Sequence, residues 1–277
     1  MDTPKFTIQS FKSAKREGRR ISMLTAYDYT MACLLDEAGV DCLLVGDSLG
    51  MVMLGYENTL RVTMDEMIHH TKAVARGTRK ALVIGDMPFL SYHLNVEESV
   101  RNAGRFVQEG GAQAVKLEGG RDVVDKIRAI VRAQIPVLGH LGLTPQSVNA
   151  FGGFKVQGKD VQTARTLIED ALRLQEAGVF GIVLECVPEG VARLISERLE
   201  IPTIGIGAGL HCDGQVLVIQ DLLGMFRKLR PKFVKTYADV GDTLVAAAAA
   251  YIDEVQKGAF PTAAHSFPVD EEILKEL

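Results

Sequence analysis

Three acids in this chain, Asp47, Asp86 and Glu118, each close a short apolar run: Cys42-Leu43-Leu44-Val45-Gly46-Asp47, Leu82-Val83-Ile84-Gly85-Asp86 and Ala114-Val115-Lys116-Leu117-Glu118. A run of this kind reads as a buried parallel strand, and its polar end is where the strand leaves the core. Neighbouring strands lie about 4.8 Å apart, so acids ending three successive strands can converge on one point. Converging carboxylates repel one another unless a cation sits among them. All the donors are hard oxygens and no cysteine or histidine pair is at hand, so the cation is read as Mg²⁺, with positions left for water and substrate. Taken singly, an aspartate after a strand is more often an N-cap or a loop hydrogen-bonder. Three acids on consecutive strands, two of them as Gly-Asp, favour the metal.

Side chains alternate along a strand, so Lys116 and Glu118 share a face and look into a barrel interior if Val115 and Leu117 meet the helices. Buried charges there must be paired or functional, and Lys116 suits a substrate carboxylate. Glu185 ends the run Gly181-Ile182-Val183-Leu184-Glu185, across such a barrel from Asp47 and Asp86. Apart from the acid cluster and flanked by Val183, Cys186 and Val187, it fits a general base. A salt bridge to Lys116 or Arg193 explains it equally well. His140, closing Pro136-Val137-Leu138-Gly139-His140, reads first as a core histidine with a satisfied partner. His69 and His70 lack H-E-x-x-H spacing and read as surface residues, while His93 and His211 fall in loops. The stretch Gly205-Ile206-Gly207-Ala208-Gly209 is a weak phosphate signal, since it is not G-x-G-x-x-G, and close loop packing accounts for it as readily.

The elements that must hold these residues alternate without a break. Eight strand candidates begin near Ile21, Cys42, Leu82, Ala114, Pro136, Gly181, Pro202 and Gln215, with helices after most of them. Asp28, the box Thr63-Met64-Asp65-Glu66 and the box Asn95-Val96-Glu97-Glu98 offer helix starts, and Gly39 a stop. The loop from Leu141 to Lys159 is long enough for a lid, and the glycine-rich loop Leu49 to Leu60 is mixed in character. The economical reading is α/β: a single (β/α)8 TIM barrel spanning 1–277 with an N-terminal helix over one end. A doubly wound open sheet is the alternative, because the helix after the eighth strand starts late, beyond Asp221 to Asp239.

The 277 residues are 47% apolar and carry a formal charge of −4, which leaves no basic stripe for nucleic acid or an anionic membrane surface. The start, Met1-Asp2-Thr3-Pro4-Lys5-Phe6, has no secretory signal character, and the apolar stretch Leu244 to Ile252 is too short for a bilayer. Four cysteines without a C-x-x-C pair point to reduced thiols and the cytoplasm.

In combination, Gly46-Asp47-Ser48-Leu49-Gly50, Gly85-Asp86-Met87-Pro88-Phe89, Val115-Lys116-Leu117-Glu118-Gly119-Gly120, Gly139-His140-Leu141-Gly142-Leu143-Thr144-Pro145-Gln146, Phe180 to Glu185 and Ile204 to Gly209 resemble the ketopantoate hydroxymethyltransferase family. The resemblance runs from Phe6 to the His265-Ser266-Phe267 tail. It implies a cytoplasmic homodecamer, each subunit with one Mg²⁺, that transfers the one-carbon unit of 5,10-methylenetetrahydrofolate to 3-methyl-2-oxobutanoate, giving 2-dehydropantoate. By the same resemblance Asp47, Asp86 and Glu118 form the Mg²⁺ group, Glu118 through water. Asp47, Ser48, Asp86 and Lys116 contact substrate, and Glu185 accepts the proton. Other classes compete: a Mg²⁺-dependent lyase of the isocitrate lyase and phosphoenolpyruvate mutase type, though no K-x-C-G-H-like motif is present; a Schiff-base aldolase using Lys116; and a non-catalytic, metal-dependent assembly protein.

Overall fold

The computed structural model describes residues 5–277; the expectation drawn from Met1 to Pro4 lies outside the described residues. Eight parallel strands close in sequence order, each pairing with its neighbours and the last with the first. They are β1 Ile21–Thr25, β2 Cys42–Val45, β3 Leu82–Asp86, β4 Ala114–Glu118, β5 Val137–Gly142, β6 Gly181–Glu185, β7 Thr203–Ile206 and β8 Gly214–Leu217. Closure rules out the open sheet and leaves no exposed strand edge.

Helices lie between most of the strands: Tyr29–Glu37, Met64–Gly77, Val96–Gln108, Val124–Arg132, Val161–Ala177 and Glu189–Arg198. Local chemistry starts them, since Asp28, Thr63, Asn95 and Asp160 each accept the backbone N–H three residues on. Thr63 and Glu66 make the reciprocal capping box that their spacing predicts. Both long loops contain short helices, Leu49–Val52 and Val148–Phe151, that sequence periodicity is too brief to reveal.

The N-terminal helix Ile8–Arg16 sends Phe11 and Ala14 into the barrel core, where they pack with Ile21, Cys42, Leu82, Ala114 and Leu138. Phe11 meets Phe180 edge-on at 5.0 Å between ring centroids. Gly181 lets the Phe11 ring approach, for a Cβ there would stand 2.9 Å from it. This end of the barrel is therefore plugged with apolar side chains, and chemistry is confined to the other. Residues to 219 together with 231–234 make up this compact unit. Residues 220–230 and 235–277 make a second, which contains the helix Val240–Gln256.

Candidate active site

Alternation along the strands decides which side chains reach the barrel interior. Leu82 and Ile84 belong to the core cluster, so Asp86, two residues on, shares their face. The same parity carries Ala114 to Lys116 and Glu118, Leu138 to His140, and Val183 to Glu185. Register then sets the neighbours: Asp86 pairs with Lys116 across β3 and β4, and Glu118 with His140 across β4 and β5. Asp47 lies just past β2, and its backbone N–H donates to Asp86 Oδ2 at 3.2 Å. Gly85 lets the helix Val96–Gln108 pack against β3 directly before Asp86, since a Cβ there would meet the Phe106 ring at 2.2 Å.

The residues form one buried polar cluster. Lys116 Nζ lies 2.7 Å from Asp86 Oδ1, 3.7 Å from Glu118 Oε1 and 3.3 Å from His140 Nδ1. His140 bridges two acids, with Nδ1 3.3 Å from Glu118 Oε1 and Nε2 3.3 Å from Glu185 Oε2. Asp47, Asp86, Lys116, Glu118 and His140 are buried, while Glu185 is half-buried. Thus Glu185 is not wholly apart from the acids, and among the described residues its ion-pair contact is with His140 and not with Lys116 or Arg193.

Electrostatics divide the cluster. Burial, together with repulsion from Asp86 and Glu118, pushes Asp47 well above the usual carboxylate range. Burial also raises Asp86, outweighing the attraction of Lys116. Glu118 is likewise desolvated, yet hydrogen bonding from His140 and the Lys116 charge hold it below its ordinary value. For Lys116, burial opposes the proton, but Asp86, Glu118 and Asp47 overcome that and raise it. His140 loses to burial and to Lys116 but gains more from Glu118 and Glu185, and it is raised to about 9.

A divalent cation fits this donor set. Asp86 Oδ1 is buried and makes no well-directed hydrogen bond, although the Lys116 ammonium lies close to it. The acids supply hard oxygens and carry unrelieved repulsion. Among the described residues, no three acid, histidine or thiol side chains are already gathered as a cage. Mg²⁺ does not require one, since it is commonly held by one or two carboxylates with water and substrate completing the shell.

Sequence reasoning did not single out three further residues at this site. Gln146 donates from Nε2 to Asp47 Oδ2 and to the Met87 carbonyl, both at 2.9 Å, and from its backbone to Glu118 Oε2 at 3.1 Å. Tyr92 donates to Gln146 Oε1 at 2.6 Å and accepts the Glu118 N–H at 3.2 Å. Tyr27 hydroxyl lies 2.9 Å from Ser48 Oγ. All three stand in or beside loops, where no periodicity tells which side chains turn inward. His70 corrects the surface expectation, because its Nδ1 lies 2.7 Å from the Tyr27 carbonyl; His69 is exposed as expected. The glycine stretch after β7 packs closely, with Gly207 against Phe233 and Gly209 against Glu189.

A closed (β/α)8 barrel with its charged groups gathered at the carboxyl ends of β2 to β6 has the form of a TIM-barrel enzyme site. The chain belongs to the ketopantoate hydroxymethyltransferase family, whose model matches residues 5–263, and is a transferase enzyme of that family. It is 63% identical to a 3-methyl-2-oxobutanoate hydroxymethyltransferase of Acetivibrio thermocellus, over 99% of this chain and 96% of that one. A Clostridium beijerinckii protein of the same name is 61% identical over 99% of both. Among solved structures, phosphonopyruvate hydrolase in complex with oxalate and Mg²⁺ is similar with a TM-score of 0.61 and 14% identity, covering 97% of this chain and 93% of that one. 2,3-Dimethylmalate lyase, a member of the PEP mutase/isocitrate lyase superfamily, reaches 0.58 at 14% identity, covering 97% of each chain. At that identity the likeness shows the fold alone, a barrel of the kind those proteins have.

Proposed function

We propose that this chain transfers the one-carbon unit of 5,10-methylenetetrahydrofolate to 3-methyl-2-oxobutanoate, with water supplying the new hydroxyl oxygen, to give 2-dehydropantoate in pantothenate biosynthesis. One observation carries the chemical reading: Asp86 and Glu118 flank the Lys116 ammonium, the Asp47 N–H is tied to Asp86, and His140 lies between Glu118 and Glu185. Asp47 and Asp86 would hold Mg²⁺, with Glu118 acting through water. The bound ion supplies Lewis-acid polarisation of the substrate's keto oxygen. Lys116 is the residue that neutralises the substrate carboxylate. Ser48, held by the Tyr27 hydroxyl, orients it.

Glu185 takes the C3 proton, leaving an enolate whose carbon bonds to the methylene carbon; both bonds from that carbon to the folate nitrogens break, water supplies the hydroxyl oxygen, and tetrahydrofolate leaves with the C3 proton and one proton of the water on its two nitrogens. His140 Nε2 lies 3.3 Å from Oε2 of that carboxylate, an ion-pair contact, and Oε1 is read as the oxygen that accepts the proton. The assembly is read as a homodecamer in the cytoplasm. In the second unit, the helix Val240–Gln256 buries none of its residues and exposes Leu244, Val245, Tyr251 and Ile252, which supports contact between copies. Among the described residues no helix is long and apolar enough to cross a membrane.

The test is proton NMR of 3-methyl-2-oxobutanoate in D₂O with the purified protein, with Mg²⁺ and then with EDTA, following loss of the C3 proton signal. Exchange that requires the metal is expected. Absence of exchange with Mg²⁺ and tetrahydrofolate both present would refute the assignment.

A further inference from the structure

Gln146 is buried, yet it lies in the loop after β5, remote in sequence from the three acids. Its side-chain amide and its backbone together touch the exits of three strands: Asp47 after β2, Met87 after β3 and Glu118 at the end of β4. Hydrogen-bond polarity fixes the amide's orientation. Tyr92 hydroxyl accepts the Glu118 N–H and donates its single proton to Gln146 Oε1, so the Gln146 nitrogen must face Asp47 and the Met87 carbonyl. Tyr92 and Gln146 therefore join the three exits through hydrogen bonds of fixed direction, in a buried setting where a lost partner is costly.

This network also divides the carboxylate oxygens. Asp47 Oδ2 is held by the Gln146 amide, Asp86 Oδ2 by the Asp47 N–H, and Glu118 Oε2 by the Gln146 N–H. In each acid one oxygen is engaged by a neutral donor. On two of them the second oxygen, Asp86 Oδ1 and Glu118 Oε1, faces the Lys116 ammonium, where positive charge is wanted.

We infer that Tyr92 and Gln146 are positioning residues that set the spacing of Asp47, Asp86 and Glu118 and thereby make the site prefer a small divalent cation over a large one. The inference rests on the proposal that these acids hold Mg²⁺. A rigid spacing matters to Mg²⁺, which demands near-ideal octahedral geometry at short range, and much less to Ca²⁺, which takes six to eight oxygens flexibly. Partners behind metal ligands typically govern affinity by about 10–100-fold.

The experiment titrates Mg²⁺ and Ca²⁺ separately, by calorimetry, into the full-length protein without substrate, and records the Mn²⁺ EPR spectrum of each variant. Tyr92→Phe removes one hydroxyl and leaves the ring packed; Gln146→Met keeps the volume and removes the amide. Both are expected to bind Mg²⁺ roughly 10–100-fold more weakly. Ca²⁺ affinity should fall less, so the Mg²⁺ to Ca²⁺ preference shrinks, and the Mn²⁺ lines should broaden as the ligand geometry loosens. Wild-type Mg²⁺ affinity in both variants overturns the inference, and so does an equal loss for both ions, which is the mark of simple destabilisation. If Gln146→Met does not fold, Tyr92→Phe decides alone. Wild-type protein that takes up none of the three ions would remove the metal proposal itself and this inference with it, an outcome distinct from tight wild-type binding that the variants share.

Discussion

Replacing Gly142 by Ala probes how the end of β5 holds the proposed base. Gly142 sits opposite Glu185 in the register, at φ +97°, and the next residue donates its N–H to the Glu185 carbonyl at 2.8 Å. A Cβ at 142 would stand 2.2 Å from that carbonyl oxygen and 2.6 Å from Val187 Cγ2, whereas ordinary contact begins at 3.4 Å. The Glu185 backbone must therefore yield by about 1 Å. Forcing a non-glycine residue into this region costs about 1–3 kcal/mol, and overpacking adds about 1–3 kcal/mol. The total of roughly 2–6 kcal/mol is a large part of a typical stability of about 5–15 kcal/mol. At about 2–4 °C per kcal/mol the melting temperature should fall by several degrees or more. A misplacement of this size at a reacting group can lower turnover by roughly 10²-fold. Gly18 supplies the control, with φ +67° and nothing within 4 Å of a built Cβ. Gly18→Ala should cost only about 1–2 kcal/mol and leave the exchange rate alone. If Gly142→Ala melts no lower than Gly18→Ala and exchanges the C3 proton at the wild-type rate, the contact does not position Glu185.

Two further outcomes follow from named contacts. Glu185→Gln keeps the side chain's size but removes the proton acceptor, so C3-proton exchange should fall by about 10²–10⁴-fold while Mg²⁺ affinity is retained; full exchange in this variant would exclude Glu185 as the base. Asp36, on the helix Tyr29–Glu37, accepts backbone N–H groups of Arg79, Lys80 and Ala81 at 2.8–3.1 Å. Burial pushes its carboxyl up, but those three donors and the Lys80 charge outweigh it and hold the carboxyl below its ordinary value. A depressed carboxylate contributes stability that is complete above its unfolded pKa of about 3.9 and is lost as pH falls through the folded value. Asp36→Asn should therefore cost roughly 1–3 kcal/mol at pH 7, with the gap to wild type closing below about pH 4. Denaturant melts at neutral and acid pH measure it, and a gap independent of pH would contradict the charge-assisted contact.

Strand positions carried most of the legible information. The alternation that puts Lys116 and Glu118 on one face is a property of the pleat, so it survives translation into three dimensions, and the register sets Asp86 beside Lys116 and Glu118 beside His140. Elements with capping chemistry were equally readable, as Asp28 and Thr63 illustrate. Loop residues were not. Gln146 lies 99 residues from Asp47, and nothing local in Leu143-Thr144-Pro145-Gln146 tells that its amide turns toward the strand exits. His70 misled for a related reason: it is helical and polar, yet its ring reaches a carbonyl on the loop after β1.

Charge bears on the proposal that a cation and a base share one small barrel mouth. Asp47, Asp86, Glu118 and Glu185 contribute four negative charges and Lys116 with protonated His140 two positive, leaving a formal −2. The excess is unevenly spread. His140 sits between Glu118 and Glu185 and compensates that side, which is why Glu118 stays easily ionised despite burial. Asp47 and Asp86 share only the Lys116 ammonium and are both driven toward protonation. Only two remedies exist for such a pair, a bound proton or a bound cation, and a divalent ion matches the deficit in magnitude and in donor chemistry. The uncompensated charge thus falls beside β2 and β3, where the cation is proposed, while Glu185, the proposed base, stands at the end of β6 with His140 Nε2 3.3 Å from it.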